Sequence, residues 1–401
     1  MTTDLQPPDS FISRQSERVI WDASTAFPVV VLTGPRQSGK TTLAQHLFSD
    51  KPYYSLENPD TLRHYQLDPR RFLTQHPQGM VLDEVQRAPD IFSYLQGLVD
   101  SQKQMGQYIV TGSQQFGLLA KVTQSLAGRA GLVDLLPLSY SEISHVPAWV
   151  RAPLNELLLR GGYPSLYDRR RNRRLLPQQW FSSYFATYVE RDVRQVLQVR
   201  DSAVFLRFLR LCAHRAGQLL NVQNLAAECG ISTSSANQWL GVLEASYIIR
   251  LLPPWFENFG KRLVKMPKLY FYDTGLLCWL LGVEGAQTLN FHAMRGAIFE
   301  NWVILETIKH RCNQGLRPDI YFWRDNHGVE IDLVFEQGGQ LHPVEIKSGS
   351  TFQNEWLKNI RHLQKYGGAR IGQASLVYGG AEMFNVQGVQ VMGWARLNNP
   401  S

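Results

Sequence analysis

Eight residues near the start of the chain have the composition of a phosphate cradle. Gly34-Pro35-Arg36-Gln37-Ser38-Gly39-Lys40-Thr41 satisfies the spacing G-x-x-x-x-G-K-[ST] in full, with Thr42 next. The glycines let consecutive backbone N–H groups wrap an anion, and a helix starting at the loop adds partial positive charge. Lys40 is expected to reach the β/γ-phosphates of ATP, and the Thr41 hydroxyl to hold Mg²⁺. Arg36 is open to a phosphate contact or to a surface role. Asp83 lies 43 residues after Lys40, in Met80-Val81-Leu82-Asp83-Glu84, an apolar run ending in two acids. Asp83 is expected to orient the metal shell, and Glu84 to polarise the attacking water as general base.

Two further residues fit this chemistry. Tyr108–Thr111 is a third strand-like run ending in Gly112-Ser113, and Ser113 is a candidate sensor of the γ-phosphate. Arg129, in Ala127-Gly128-Arg129-Ala130, is a candidate arginine finger acting within the chain or on a neighbour; the second case implies a homo-oligomer.

A separate constellation lies near the C-terminus. Val329–Phe335 and Pro343–Lys347 alternate as strands across a Gly338-Gly339 turn. Glu345 and Lys347 are two apart and share a strand face, and Asp332 lies on the neighbouring strand. Asp332 and Glu345 are hard oxygen ligands suited to Mg²⁺ or Mn²⁺, and Lys347 could position water or neutralise charge. This D…E-x-K pattern resembles the PD-(D/E)xK nucleases, a resemblance that implies Glu300 as an additional helix acid. Glu330-Ile331-Asp332 stands where that superfamily has Pro-Asp.

The elements that must position these groups follow from periodicity. Apolar runs at Val29–Thr33, Met80–Leu82, Tyr108–Thr111 and Leu132–Leu136 alternate with helical patterns, as in an α/β domain with a parallel sheet. A helix pattern leaves the phosphate loop at Thr42–Phe48. Val222–Cys229, the turn Gly230-Ile231-Ser232, and Thr233–Ala245 read as a helix-turn-helix, and Tyr247–Leu252 as a wing strand. In a nucleic-acid reading the second helix presents Ser234, Ser235, Asn237 and Gln238 to a groove. Tyr272-Asp273-Thr274-Gly275 reads as the cap of a core helix. The expected organisation is an ATPase domain over 1–150, an Arg-rich helical lid over 151–217 and a winged helix over 218–257. A connecting segment at 258–294 and a nuclease-like α/β domain over 295–401 complete it.

The ordered set GPRQSGKTT, VLDEVQ, VTGSQQF, LAGRAG followed by LPLSYSEI, and GGYP (Gly161–Pro164) resembles the AAA+-related ATPases of the AAA_14 kind, commonly joined to a region called DUF4143. The resemblance runs from about Ile12 to Glu345 and beyond. It implies ATP hydrolysis by an AAA+-like core.

The 401 residues carry 41 Lys plus Arg against 34 Asp plus Glu, a net charge of +7. Residues 151–260 hold fourteen Arg, no Lys and eight acids, so +6 of that excess sits in this segment. Its densest run is Arg169, Arg170, Arg171, Arg173 and Arg174. Such a surface suits a polyanion, nucleic acid and DNA foremost. The four cysteines form no CxxC pair, which excludes a disulfide scaffold and a structural zinc site. With no basic and apolar leader after Met1 and no apolar run long enough to span a bilayer, the chain is expected to be cytoplasmic and without a membrane partner. Three functions are consistent with these features. The first is a nucleic-acid-dependent ATPase that remodels or translocates on duplex or branched DNA. The alternatives are an ATP-regulated, Mg²⁺-dependent nuclease and a nucleotide-gated switch acting on proteins.

Overall fold

The computed structural model describes residues 11–113, 125–168, 176–187, 201–255 and 265–397. Its N-terminal sheet contains β1 (Val29–Thr33), β2 (Tyr53–Ser55), β3 (Met80–Asp83), β4 (Tyr108–Thr111) and β5 (Ala130–Asp134), in the order β2-β3-β4-β1-β5. All the pairings are parallel. Every residue of β1, β3 and β4 is buried, because helices cover both faces. Alternate residues serve opposite cores. Val29, Val31, Leu82 and Val110 face the helix Ile91–Gln102 with Leu95 and Val99, whereas Val30, Leu32, Val81 and Ile109 pack on Ile20, Leu43 and Ala44. The last strand begins two residues earlier than the Leu132–Leu136 pattern suggests. Ala130 and Gly131 pair with Val29 and Val30. A Cβ at Gly131 would come within 2.8 Å of the Phe27 ring, so the position that weakens the strand signal is required by packing.

The middle of the chain is helical. Leu154–Arg160, Pro177–Tyr184 and Ser202–Ala213 lead into helices Val222–Cys229 and Thr233–Ala245, where Gly230 supplies the left-handed turn (φ 76°). The antiparallel pair β6 (Ile249–Leu252) and β7 (Lys268–Phe271) completes the winged-helix shape. Asp273 caps the helix Thr274–Leu280 through the N–H groups of Gly275 (2.9 Å) and Leu276 (3.1 Å). Its second oxygen accepts the Gly162 N–H at 2.7 Å. A Cβ at Gly161 (φ +71°) would lie 2.1 Å from Asp273 Oδ1. The Gly-Gly of GGYP and the Asp of YDTG are therefore two halves of one joint, and burial raises the Asp273 carboxyl to about 6.

The C-terminal unit opens with the helix Arg295–Asn313 and contains a six-stranded mixed sheet, β12-β13-β11-β10-β9-β8. Its strands are β8 (Tyr321–Arg324), β9 (Glu330–Gln337), β10 (Gln340–Lys347), β11 (Ala374–Tyr378), β12 (Met383–Val386) and β13 (Val389–Gly393). The β9–β10 pair is antiparallel with Val344 opposite Leu333, which sets Glu345 beside Asp332. β10 then runs parallel to β11. Among the described residues no helix is long and apolar enough to cross a membrane.

Candidate functional site

The phosphate loop links β1 to the helix Lys40–Leu47, at the end of the parallel sheet where ligands collect. Gly34 (φ +142°) is required there, since a Cβ would sit 2.2 Å from the Leu135 carbonyl oxygen. Gly39 also takes a left-handed conformation, and Gln37 adopts φ 62°. Lys40 is buried, and its Nζ donates to the loop's own carbonyls, Gly34 at 3.0 Å and Pro35 at 2.7 Å. Burial lowers its pKa to about 8, and the nearby Arg36 cation adds to this against the opposing pull of Glu84 and Asp83. An ammonium held only by neutral oxygens is ready for an anion.

The residues that the sequence assigns to hydrolysis meet at the mouth of this loop. Thr41 Oγ1 donates to Asp83 Oδ1 at 2.8 Å, and Tyr53 OH donates to Asp83 Oδ2 at 2.8 Å. The Thr111 hydroxyl also donates to Asp83. Glu84 follows at φ 56°, a left-handed conformation that turns its side chain out of the strand and into the cavity wall. Its carboxylate accepts from Gln86 and, at 3.3 Å, from Ser113 Oγ. A hydroxyl and a carboxylate in contact at the loop are the hard donors that Mg²⁺ prefers, so these residues fit that ion.

No spacing rule in the sequence points to Tyr53, Thr111 or Gln86, nor to the far wall. That wall comes from the lid: Pro164, Ser165, Gln179, Ser183 and Thr187 face Gln37, Gly39, Lys40, Thr41, Thr42 and Glu84 across the cavity. Pro164 is the end of GGYP, which was the one available signal. Arg129 requires a correction. It precedes β5, and its carbonyl bonds the Val29 N–H at the start of β1, the opposite end of the sheet from the loop. Its guanidinium pairs with Asp100 at 2.5 Å, so it is no finger for its own chain's phosphate loop.

In the winged helix, Ser234, Asn237 and Gln238 are exposed while Ala236, Trp239, Leu240 and Leu243 are buried. Ser235 is half-buried and bonds Ser232, which caps the helix. The run Arg169, Arg170, Arg171, Arg173 and Arg174 lies outside the described residues.

The C-terminal acids also come together. Lys347 Nζ lies 2.6 Å from Glu345 and 3.7 Å from Asp332, whose Oδ2 accepts the Ile346 N–H at 2.8 Å. Glu300 reaches them from the helix Arg295–Asn313. Beside Glu300 and Asp332 sits a residue that the motif does not contain. Lys268, on β7 and 2% exposed, places its Nζ 2.5 Å from Glu330, 3.1 Å from Glu300 and 3.9 Å from Asp332. Tyr270 OH donates to Glu300 at 2.6 Å. Burial alone would depress the Lys268 ammonium, but Glu300, Asp332 and Glu330 together hold it well above its ordinary pKa. Burial raises Glu300 and Glu345. Among the described residues no three His, Cys, Asp or Glu side chains are arranged to hold a metal. Lys268 thus neutralises Glu300 and Glu330 and lies near Asp332, while Glu345 pairs with Lys347.

The residues 26–144 that carry the phosphate loop fall within a known family. The family model described as an AAA domain, AAA_14, matches residues 26–144. Two domains of unknown function follow, DUF8612 at 151–287 and DUF4143 at 295–397. The chain belongs to the AAA_14/DUF4143 family of ATPases. It is 35% identical over 328 residues to two uncharacterized mycobacterial proteins, Mb2031c of Mycobacterium bovis and Rv2008c of Mycobacterium tuberculosis, covering 81% of this chain and 71% of each relative. Among solved structures, a Walker-type ATPase of Pyrococcus abyssi aligns over 69% of this ATPase and 99% of its own chain, at 16% identity and a TM-score of 0.45. As an AAA_14 ATPase the protein is a nucleotide-binding hydrolase with a parallel-sheet core.

Proposed function

We propose that the ATPase binds ATP with Mg²⁺ at the loop Gly34–Thr41 and couples its hydrolysis to work on a nucleic acid, DNA foremost. The observation that carries the first half is the meeting of Lys40, Thr41 and Glu84 around one cavity, with Asp83 held to Thr41 at 2.8 Å. Backbone N–H groups of the loop and Lys40 bind the phosphates; Thr41 and Asp83 hold the ion. Bound Mg²⁺ would neutralise charge developing between the phosphates. Glu84 accepts a proton from the attacking water, and Ser113 and Gln86 fix its carboxylate.

The second half rests on surface chemistry. The winged helix leaves Ser234, Asn237 and Gln238 exposed, and the segment around it carries most of the chain's positive excess. Short neutral side chains suit phosphate and base-edge contacts, and an arginine-rich sequence suits a polyanion. Steady-state ATP hydrolysis should rise with one class of single-stranded, duplex, forked or four-way DNA or structured RNA, and binding should weaken steeply with salt. Lys40→Ala is the blank. Hydrolysis indifferent to every nucleic acid would replace this reading with that of a switch acting on proteins. The nuclease alternative has Asp332, Glu345 and Lys347 in one cluster, and Glu345 Oε2 is buried without a partner among the described residues. Lys268 in that cluster weighs against it.

A further inference from the structure

Arg14 is one of the most fully buried arginines described, at 6% exposure, and it precedes the first helix, Glu17–Ala26. Its guanidinium joins three separate pieces of chain. Nη1 donates to the Ser38 carbonyl in the phosphate loop at 2.8 Å. Nη2 donates to the Leu136 carbonyl beyond β5 at 2.6 Å, and Nε to Glu142 Oε1 at 3.0 Å. Glu142 is itself fixed from several sides. Its carboxylate accepts the N–H groups of Gln15 (2.8 Å) and Ser139 (2.7 Å) and closes a capping box on the helix Tyr140–Ile143.

The contact with Ser38 bears on the nucleotide. The Ser38 carbonyl and the Gly39 N–H belong to one planar trans peptide and point in opposite directions. Arg14 lines a different cavity, with Phe11, Gln15, His145 and Tyr167, so it grips the loop from behind. Drawing the carbonyl backwards turns the Gly39 N–H forwards, towards the cavity that Gly39 lines with Lys40 and Thr41. We infer that Arg14 is a positioning residue for nucleotide binding: it presets the peptide 38–39 so that its N–H meets a phosphate, and Glu142 locks Arg14 in place. This inference rests on the reading of Gly34–Thr41 as the ATP site.

The guanidinium reaches its three acceptors from three separate nitrogens in a fixed plane, so a lysine at position 14, with all its donors on one nitrogen, would keep the charge and lose the arrangement. The experiment is titration of the full chain with Mg²⁺·ATP and Mg²⁺·ADP by calorimetry, with kcat, KM and thermal midpoint in parallel. The variants are Arg14→Lys, Arg14→Ala and Glu142→Gln, and Lys40→Ala is the control. Arg14→Lys is expected to weaken ATP and ADP alike by about tenfold, the loss of one charge-assisted hydrogen bond to the loop. KM should rise in step while kcat changes less than about twofold. Glu142→Gln keeps an acceptor and should cost about threefold. A midpoint that falls in Arg14→Lys and Glu142→Gln while both nucleotide affinities stay at the wild-type value would overturn the inference. If Arg14→Ala does not fold, those two variants decide alone. Binding of ATP by Lys40→Ala as tightly as by wild type would instead reject the loop as the ATP site.

Discussion

Two lysines, both almost fully buried, sit at the two centres of this molecule and are in opposite electrostatic states. Lys40 touches only the neutral carbonyls of Gly34 and Pro35, and burial lowers its pKa to about 8. Lys268 touches Glu330 and Glu300, lies close to Asp332, and is held far up. Burial is comparable, so the partners decide. An ammonium with no carboxylate in direct contact is a receptor for an anion. A compensated one is a resident cation, and it ties the β6–β7 hairpin to the C-terminal sheet and to the helix Arg295–Asn313. The phosphate loop is built to receive charge, whereas the C-terminal centre already contains the charge it needs.

The sharpest way to break this comparison is to remove each ammonium. Lys268→Met would take the ammonium from Glu300, Glu330 and Asp332 and leave Arg324 on Glu330 and Lys347 beside Asp332 as the remaining cations, and loss of one member of such a set costs about 3 kcal/mol. Urea denaturation should show that loss. A variant as stable as wild type would mean that the acids do not depend on Lys268. Lys40→Ala should do the reverse: little change in stability, and a fall in ATP hydrolysis of about 10²–10³-fold, the usual cost of a group that meets transition-state charge. Next in size is Gly161→Ala. Its Cβ would press into Asp273 from a left-handed backbone, so the lid joint should weaken by about 2 kcal/mol, read as a lower denaturation midpoint.

The pH response sharpens the contrast without any mutation. Above about pH 8 the empty site's Lys40 loses its proton, so ATP affinity should fall, by up to about tenfold per pH unit. Bound phosphate favours the ammonium, so binding near pH 8–9 should take up protons, and calorimetry in buffers of different ionisation enthalpy would detect this. The stability of the nucleotide-free protein moves the other way. The folded pKa lies below the unfolded value, so burying the charged form is a cost at neutral pH. That cost is relieved as pH rises through about 8 towards the unfolded value. Lys268, held up by its carboxylates, should add nothing in this window.

What could be read from the sequence follows the same division between local and distant. The phosphate loop is legible because its parts lie within eight residues, and Asp332, Glu345 and Lys347 because strand alternation and one tight turn bring them together. Lys268 is 32 residues from Glu300, and Arg14 is 128 from Glu142. Only tertiary packing unites them, and no spacing rule points there. Asp273 reads correctly as a helix cap, but its bond to Gly162 spans 111 residues. The displacement of Arg129 was open to reasoning. A residue just before a strand of a parallel sheet lies at the N-terminal edge, while Lys40, Glu84 and Ser113 follow their strands and gather at the other.

The smallest effect concerns Ser113, and it tests how the hydrolytic residues act together. Its hydroxyl donates to Glu84 at 3.3 Å and receives the Gln86 amide at 3.2 Å, and Gln86 also bonds Glu84 directly. Ser113 is buried and does not line the nucleotide cavity, so its influence on the reaction passes through Glu84. Ser113→Ala removes one of the two hydrogen bonds that aim the carboxylate and leaves the Gln86 bond in place. The expected loss is about three- to tenfold in kcat, with KM unchanged. Glu84→Gln removes the base and should cost about a hundredfold. If Ser113 works only by aiming Glu84, adding Ser113→Ala to Glu84→Gln should lower kcat no further. Additive losses would instead give the Ser113 hydroxyl a contact of its own with the γ-phosphate.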